Sequence, residues 1–200
     1  MGIAERRQRQ KEEVRSAILS SAWNMVKEEG WQSLSIRKIA DAIEYSIPVI
    51  YNHFENKEAI LLEFTKEGFQ KLANKMAATR DKYKEPCKQL EAMANTYWDF
   101  AFEHNEYYQL MFGLGIPACD RVNQVAEMKA LTVIMISSIQ KAIAASKNPD
   151  ADHFLKYHTY WSILHGLVSI QMIEKEGKPD ASKKLILKDA IAGFIKSLME

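Results

Sequence analysis

Apolar residues return at every third or fourth position along almost the whole of this 200-residue chain. No stretch of convincing length alternates with period two, so the pattern demands helices and leaves no place for a sheet. The chain breakers agree, because most of the eight glycines and five prolines fall between the periodic stretches. A first helix reads over residues 12–29, with Val14, Ile18, Ala22 and Met25 on one stripe and Gly30 as its stop. Ser35 is placed to cap a short second helix whose Ile36, Ile39, Ala40 and Ile43 face inward. Ser46 is placed to cap a short third helix with Pro48 in its first turn, where a missing N–H is tolerated. Asn56 heads a long fourth helix, from 57 to about 79, that buries Ile60, Leu61, Phe64, Leu72 and Met76 and links two parts of the molecule. Beyond Pro86 the helical segments are 87–103, 106–112, 120–145, 152–176 and 182–198.

The charge balance limits the partners. With 27 basic against 26 acidic residues the formal charge is +1, so affinity for phosphate has to come from a local cluster rather than from the total. Only two cysteines occur, Cys87 and Cys119, in no Cys-x-x-Cys pair, which fits a reducing, cytoplasmic compartment. The basic N-terminus (Arg6, Arg7, Arg9, Lys11) is not followed by an apolar stretch of signal or membrane-span length, the longest run being 131–136. The expectation is a soluble protein with no membrane partner, no metal and no cofactor.

Two short capped helices joined by the tight Glu44-Tyr45 connection, and preceded by a longer amphipathic helix, have the dimensions of a helix-turn-helix. In such a unit the first two helices pack on the back of the third, whose N-terminal residues enter the major groove. The free side of that third helix carries Ser46, Ile47, Val49, Asn52 and His53, and its core side carries Ile50 and Phe54.

The run Ser35-Ile36-Arg37-Lys38-Ile39-Ala40, followed by Ile50-Tyr51-Asn52-His53-Phe54-Glu55-Asn56-Lys57-Glu58, resembles the DNA-binding signature of the TetR family of bacterial transcriptional repressors. The likeness spans residues 14–62. It implies an all-α chain: a three-helix helix-turn-helix DNA-binding domain over 1–58, and a helical ligand-binding and dimerisation domain over 59–200. One position departs from the family. Where Glu44 stands the family most often has Gly, which suits a left-handed turn, and a Glu there either carries a conformational cost or forces a different turn.

The resemblance implies roles that suit the residue types. Tyr51 and Lys57 fall where the family contacts phosphates, and His53 is suited to the same task. Ile47, Pro48 and Val49 fall where the family reads bases; being apolar, they suit thymine methyls more than bidentate hydrogen bonds. Asn52 is the polar reader, Ser35 and Arg37, at the start of the preceding helix, touch backbone, and Ser46 stands with the DNA-facing residues of the third helix. Taken singly, Tyr51 and Phe54 read better as core, Asn56 as a cap and Lys57 as a solvated charge; it is the whole spacing that favours double-stranded DNA, as a pseudo-palindromic operator. Asp41, Glu44 and Glu55 dilute the basic cluster.

In the second part, Phe154, His158, Trp161, His165, Val168 and Met172 recur at spacings of four and three, and Leu187, Ile191, Phe194 and Leu198 repeat the pattern. Two such stripes suit a four-helix bundle with a second copy, giving a homodimer, as the family pairs through its last two helices. The alternative is that one or both stripes are core of the same chain. Trp161-Ser162-Ile163-Leu164-His165-Gly166 also resembles the Trp-x-x-x-His-Gly signature of one subgroup of TetR-like C-terminal domains. His158 and His165 share a face without a third ligand at metal-binding spacing, and read as packed residues. The family encloses its inducer in the region of Met93, Tyr97, Trp98, His104, Tyr108, Met111, Phe112, Met128 and Met135, side chains that suit a small apolar or aromatic effector; plain core is the competing reading. The rival function is a helical-bundle ligand carrier or enzyme without DNA binding. Against catalysis, the chain has no Gly-x-Ser-x-Gly, no phosphate-cradling glycine loop and no His-Glu-x-x-His.

Overall fold

The computed structural model describes residues 2–113, 125–173 and 181–200, and every regular element among them is helical. The order is α1 (Ile3–Glu29), a 3-10 turn (Trp31–Ser33), α2 (Ile36–Ala42), α3 (Ile47–Tyr51), α4 (Lys57–Arg80), α5 (Pro86–Glu103), α6 (Asn105–Phe112), α7 (Ala126–Ala144), α8 (His153–Ile173) and α9 (Ala181–Met199). The expected helix start at residue 120 and end at residue 176, together with Cys119, lie outside the described residues. Two compact units divide after Thr65: the first holds the chain up to there and the segment from Gln109, the second holds Lys66–Tyr108 and the described residues after 123. α4 therefore contributes to both.

In the first unit α1 is longer than its apolar stripe. Residues 3–13 are exposed on every side, so periodicity gives no sign of them, and the basic N-terminus is helical. Its start is closed by the Gly2 N–H donating to Glu5 Oε2 at 2.9 Å. The stripe itself buries Val14, Ile18, Ala22 and Val26; Val26, not the half-exposed Met25, ends it. Gly30 takes φ 80 and returns its N–H to the Val26 carbonyl at 2.8 Å, the stop expected of it. Around this stripe gather Leu34, Ile39, Ala40, Ile50, Phe54, Ile60 and Leu61, all buried. Trp23, Trp31 and Phe64 form an aromatic cluster with centroids 5.4 to 5.8 Å apart, each contact worth about 0.5–1.5 kcal/mol beyond its area. Arg15 lies 5.1 Å over the Phe54 ring and is ion-paired with Glu63, which ties α1 to the chain on either side of Asn56.

In the second unit α5 is the central helix, packed against α7, α8 and α9. Its Leu90, Met93, Ala94, Tyr97, Trp98, Phe100 and Ala101 are all buried. α9 packs on α5, α7 and α8, and this corrects the expectation for its stripe. Leu187, Ile191, Phe194 and Leu198 are 1–5% exposed within the single chain, as is Val168 of α8 at 1%. They belong to the chain's own core and are not a face held open for a second copy. The physical reason is that α5 and α8 each need covering, and the apolar face of α9 is what covers them. Phe154 and His158 do stand exposed, and Trp161 and His165 are half-buried.

Candidate nucleic-acid interface

The joint between α2 and α3 sets the geometry of the first unit's surface. α2 ends at Ala42 with Ile43 as its C-cap, after which Glu44 takes φ 58, the only non-glycine residue at positive φ among those described. The Tyr45 N–H reaches back to the Ala40 carbonyl at 3.0 Å and the Glu44 N–H to the Asp41 carbonyl at 3.3 Å. This is the Schellman pair of bonds, which satisfies two carbonyls left open at a helix end and asks for a left-handed residue where Glu44 stands. The turn thus keeps the geometry that glycine suits, and the glutamate adopts the costly conformation.

α3 then starts at once. Ser46 has the extended backbone of an N-cap, and its carbonyl accepts the Val49 N–H at 2.9 Å. Neither Ser46 nor Ser35 caps with its side chain, a departure from the sequence expectation that leaves both hydroxyls out of the helix starts. Asn56 does cap, Oδ1 accepting the Ala59 N–H at 2.8 Å. One side of α3 is anchored by Ile50, 0% exposed, with Phe54 buried just beyond.

The opposite side faces outward. Ile47 is 38% and Tyr51 52% exposed; Ser46, Pro48, Asn52 and Arg37 are exposed, and Ser35, Val49, His53 and Lys57 are half-buried. All ten residues expected at DNA are thus at or near the surface of one unit. Lys57, the first residue of α4, sets an ammonium where helix N–H groups also point outward. Lys38 is held by Glu29 at 2.8 Å. His53 differs from a simple cation: burial, then Lys11 and Arg15, pull its pKa below the usual 6.5, so at neutral pH it offers an N–H rather than a charge. Tyr45, 44% exposed beside Ser46, adds an aromatic side chain to this surface; its signal in the sequence is an aromatic residue placed in a turn with no core to enter.

The residues expected around an effector belong largely to the interior. Met93, Tyr97, Trp98, Tyr108, Met111 and Met135 are buried, whereas His104, Phe112 and Met128 are half-buried. Three polar groups meet in the second unit. Tyr97 Oη and Tyr108 Oη are 3.0 Å apart, and Tyr108 Oη lies 2.7 Å from His165 Nδ1. Ser169 Oγ approaches the other imidazole nitrogen at 3.4 Å. Burial lowers the His165 pKa and raises those of both tyrosines, with the Tyr108 hydroxyl and then the Trp161 indole opposing the rise at Tyr97. His165, one of the two side chains of the Trp-x-x-x-His-Gly run, is thus joined to this uncharged chain, and the ring of the other, Trp161, lies 6.1 Å from the imidazole. Among the described residues no group of His, Cys, Asp and Glu is gathered to hold a metal, and no helix is long and apolar enough to cross a membrane.

Comparison with known proteins agrees with this geometry. Residues 18–64 match the family described as bacterial regulatory proteins, tetR family. Residues 90–187 match the tetracyclin repressor-like C-terminal domain. The chain is 23% identical over 182 residues to the uncharacterized HTH-type transcriptional regulator YobS of Bacillus subtilis (strain 168), covering 89% of this chain and 91% of that protein. Its fold is similar to that of a protein from Rhodococcus sp. RHA1, with a TM-score of 0.76 at 21% identity over 93% of this chain and 95% of the other. It is also similar to RolR in complex with resorcinol, with a TM-score of 0.66 at 13% identity over 96% and 95% of the two chains. With both parts matched, the chain belongs to the TetR family and is a DNA-binding transcriptional regulator.

Proposed function

We propose that the protein is a repressor that holds a pseudo-palindromic operator as a homodimer and releases it when a small apolar or aromatic effector binds the second unit. The observation that carries the DNA reading is the outward side of α3: Ile47 and Tyr51 exposed, the Ser46 hydroxyl unused as a cap, and Lys57 at the head of α4. Tyr51, Lys57, Ser46, Ser35 and Arg37 hold phosphates, with His53 donating a neutral N–H. Ile47, Pro48 and Val49 meet thymine methyls, and Asn52 reads a base edge. Dimerisation sets two such helices about 34–36 Å apart, one duplex turn. The exposed apolar residues left on the last two helices, Phe154, Leu155 and Ile170 on α8 and Ile186 on α9, together with His158 and Trp161, supply the pairing face.

RolR, of the same fold, is described with resorcinol bound, which supports a small aromatic molecule as the effector class here. Tyr97, Tyr108 and His165 offer its polar group a partner. Binding that favours one arrangement of the dimer shifts the population away from the operator-competent one.

The test is a Tyr51→Phe, Lys57→Ala double variant assayed on genomic fragments that co-purify with the wild type. It is expected to remain helical and dimeric, to bind those fragments far more weakly, and to lower the slope of log affinity against log salt by about one per lysine removed. Undiminished binding with an unchanged slope refutes the assignment.

A further inference from the structure

The buried stripe of α1 does not stop where the core stops. Stepping back from Ile18 and Val14 by alternate fours and threes gives Lys11, Arg7 and Ala4, so the flank that is apolar against the domain turns basic beyond it. At about 100° per residue, Arg7 and Lys11 point within about 40° of the Val14–Ile18 direction, whereas Glu5, Glu12 and Glu13 are turned about 120° or more away from it. Those three acids are also engaged. Glu5 accepts the Gly2 N–H, Glu12 accepts an N–H of Gln8 at 2.7 Å, and Glu13 lies 3.7 Å from Arg9. Arg7 and Lys11 make no ion pair among the described residues. The charges of residues 3–13 are thus sorted into one basic flank and one neutralised flank.

We infer that the basic flank is a second DNA contact, in which Arg7 and Lys11 hold backbone phosphates beyond those reached from α3 and the head of α4. This contact presupposes the operator reading above and extends it along the duplex. Its support is continuity with the α3 surface. Arg15, one turn after Lys11, lies over the Phe54 ring at 5.1 Å, and the charges that act on His53 are those of Lys11 and Arg15, with no acid among them. Glu63 of α4 is taken up by Arg15. The flank therefore leaves the helix-turn-helix at His53, on the edge of the surface that Tyr51 and Asn52 present. Arg7 and Lys11 are about 6 Å apart along the helix, close to the step between neighbouring phosphates of one strand. Other occupants find less here. A lipid surface asks for an apolar face beside the basic one, and a partner helix asks for an apolar seam; residues 3–13 offer only Ile3 and Ala4. Phosphate asks only for cations not already paired.

The test compares the double variant Arg7→Gln, Lys11→Gln with Arg6→Gln, Arg9→Gln, which removes the same charge from the other sides of the helix. Each full-length protein is titrated by fluorescence anisotropy, over a range of salt, with a genomic fragment that co-purifies with the wild type and with a scrambled duplex of equal length. The first variant is expected to bind both duplexes about tenfold or more weakly and to lower the slope of log affinity against log salt by about two per protomer bound. Its preference for the genomic fragment stays at the wild-type value, because phosphates carry no sequence. Ethylation interference is expected to lose, in that variant, phosphates that Lys57→Ala retains. The second variant is expected to change affinity and slope far less, and circular dichroism and sedimentation stay at the wild-type level in both. Three results overturn the proposal: a wild-type slope in the first variant, equal losses in the two variants, or a loss that follows dissociation of the dimer. The operator reading survives each of these, and falls instead if Tyr51→Phe, Lys57→Ala binds as the wild type does.

Discussion

Replacing Glu44 by glycine isolates the conformational cost of the turn between α2 and α3. Glu44 sits at φ 58, and a left-handed conformation costs an L-residue about 1–2 kcal/mol. Glycine removes that cost but loses about 0.5–1 kcal/mol through the greater freedom of its unfolded chain. The balance predicts a stabilisation of about 0.5–1 kcal/mol for Glu44→Gly, or about 1–4 °C for a chain of this length. Nothing on the folded side opposes the change, because the Glu44 backbone N–H keeps its bond to Asp41 and the side chain is exposed. Glu44→Ala is the control. It deletes the same carboxylate but keeps a Cβ, so it leaves the strain in place and lies at or below wild-type stability. Both variants are followed by urea unfolding and by differential scanning calorimetry. The reasoning is refuted if glycine is no more stable than alanine, for then charge or solvent, and not the backbone, decides the energy of the turn.

Two further outcomes concern the second unit. Tyr108→Phe removes the hydroxyl between Tyr97 and His165 and leaves buried polar atoms without it, which costs about 1–3 kcal/mol by urea unfolding; a loss near zero means the hydroxyl is not needed there. His165 is held below its usual pKa of 6.5 by burial, so the unfolded chain takes up its proton first as the pH falls. The stability from the neutral imidazole is complete above about 6.5 and drains away below it. Between about pH 7.5 and 5.5 the urea midpoint of the wild type is therefore expected to fall further than that of His165→Gln; equal falls count against the assignment.

The first unit was legible because short-range signals decide it. Ile39, Ala40, Ile50 and Phe54 bury as their spacing requires, and Asn56 caps α4 as its residue type suggests. Ser35 and Ser46 show the limit of such signals: they occupy the cap positions, yet their hydroxyls are not spent there, and residue type alone does not decide between a cap and an exposed contact. The start of α1 escaped notice because residues 3–13 bury nothing, and periodicity reports only what is buried. Leu187, Ile191, Phe194 and Leu198 show the converse. Their stripe announces that something covers the face, whereas whether that cover is α5 and α8 or another molecule depends on contacts distant in sequence. The meeting of Tyr97, Tyr108 and His165 from three separate helices was invisible for the same reason.

That meeting has a consequence for how uniquely the second unit is specified. Methionine, leucine and alanine faces slide and rotate against one another at little cost, so α5, α6 and α8 could settle in several near-equivalent registers on greasiness alone. A phenol or imidazole left without its mate in a dry interior penalises every setting but one. The bulk of the adhesion comes from hydrocarbon, and the choice of a single arrangement among its competitors comes from two hydroxyls and a ring nitrogen.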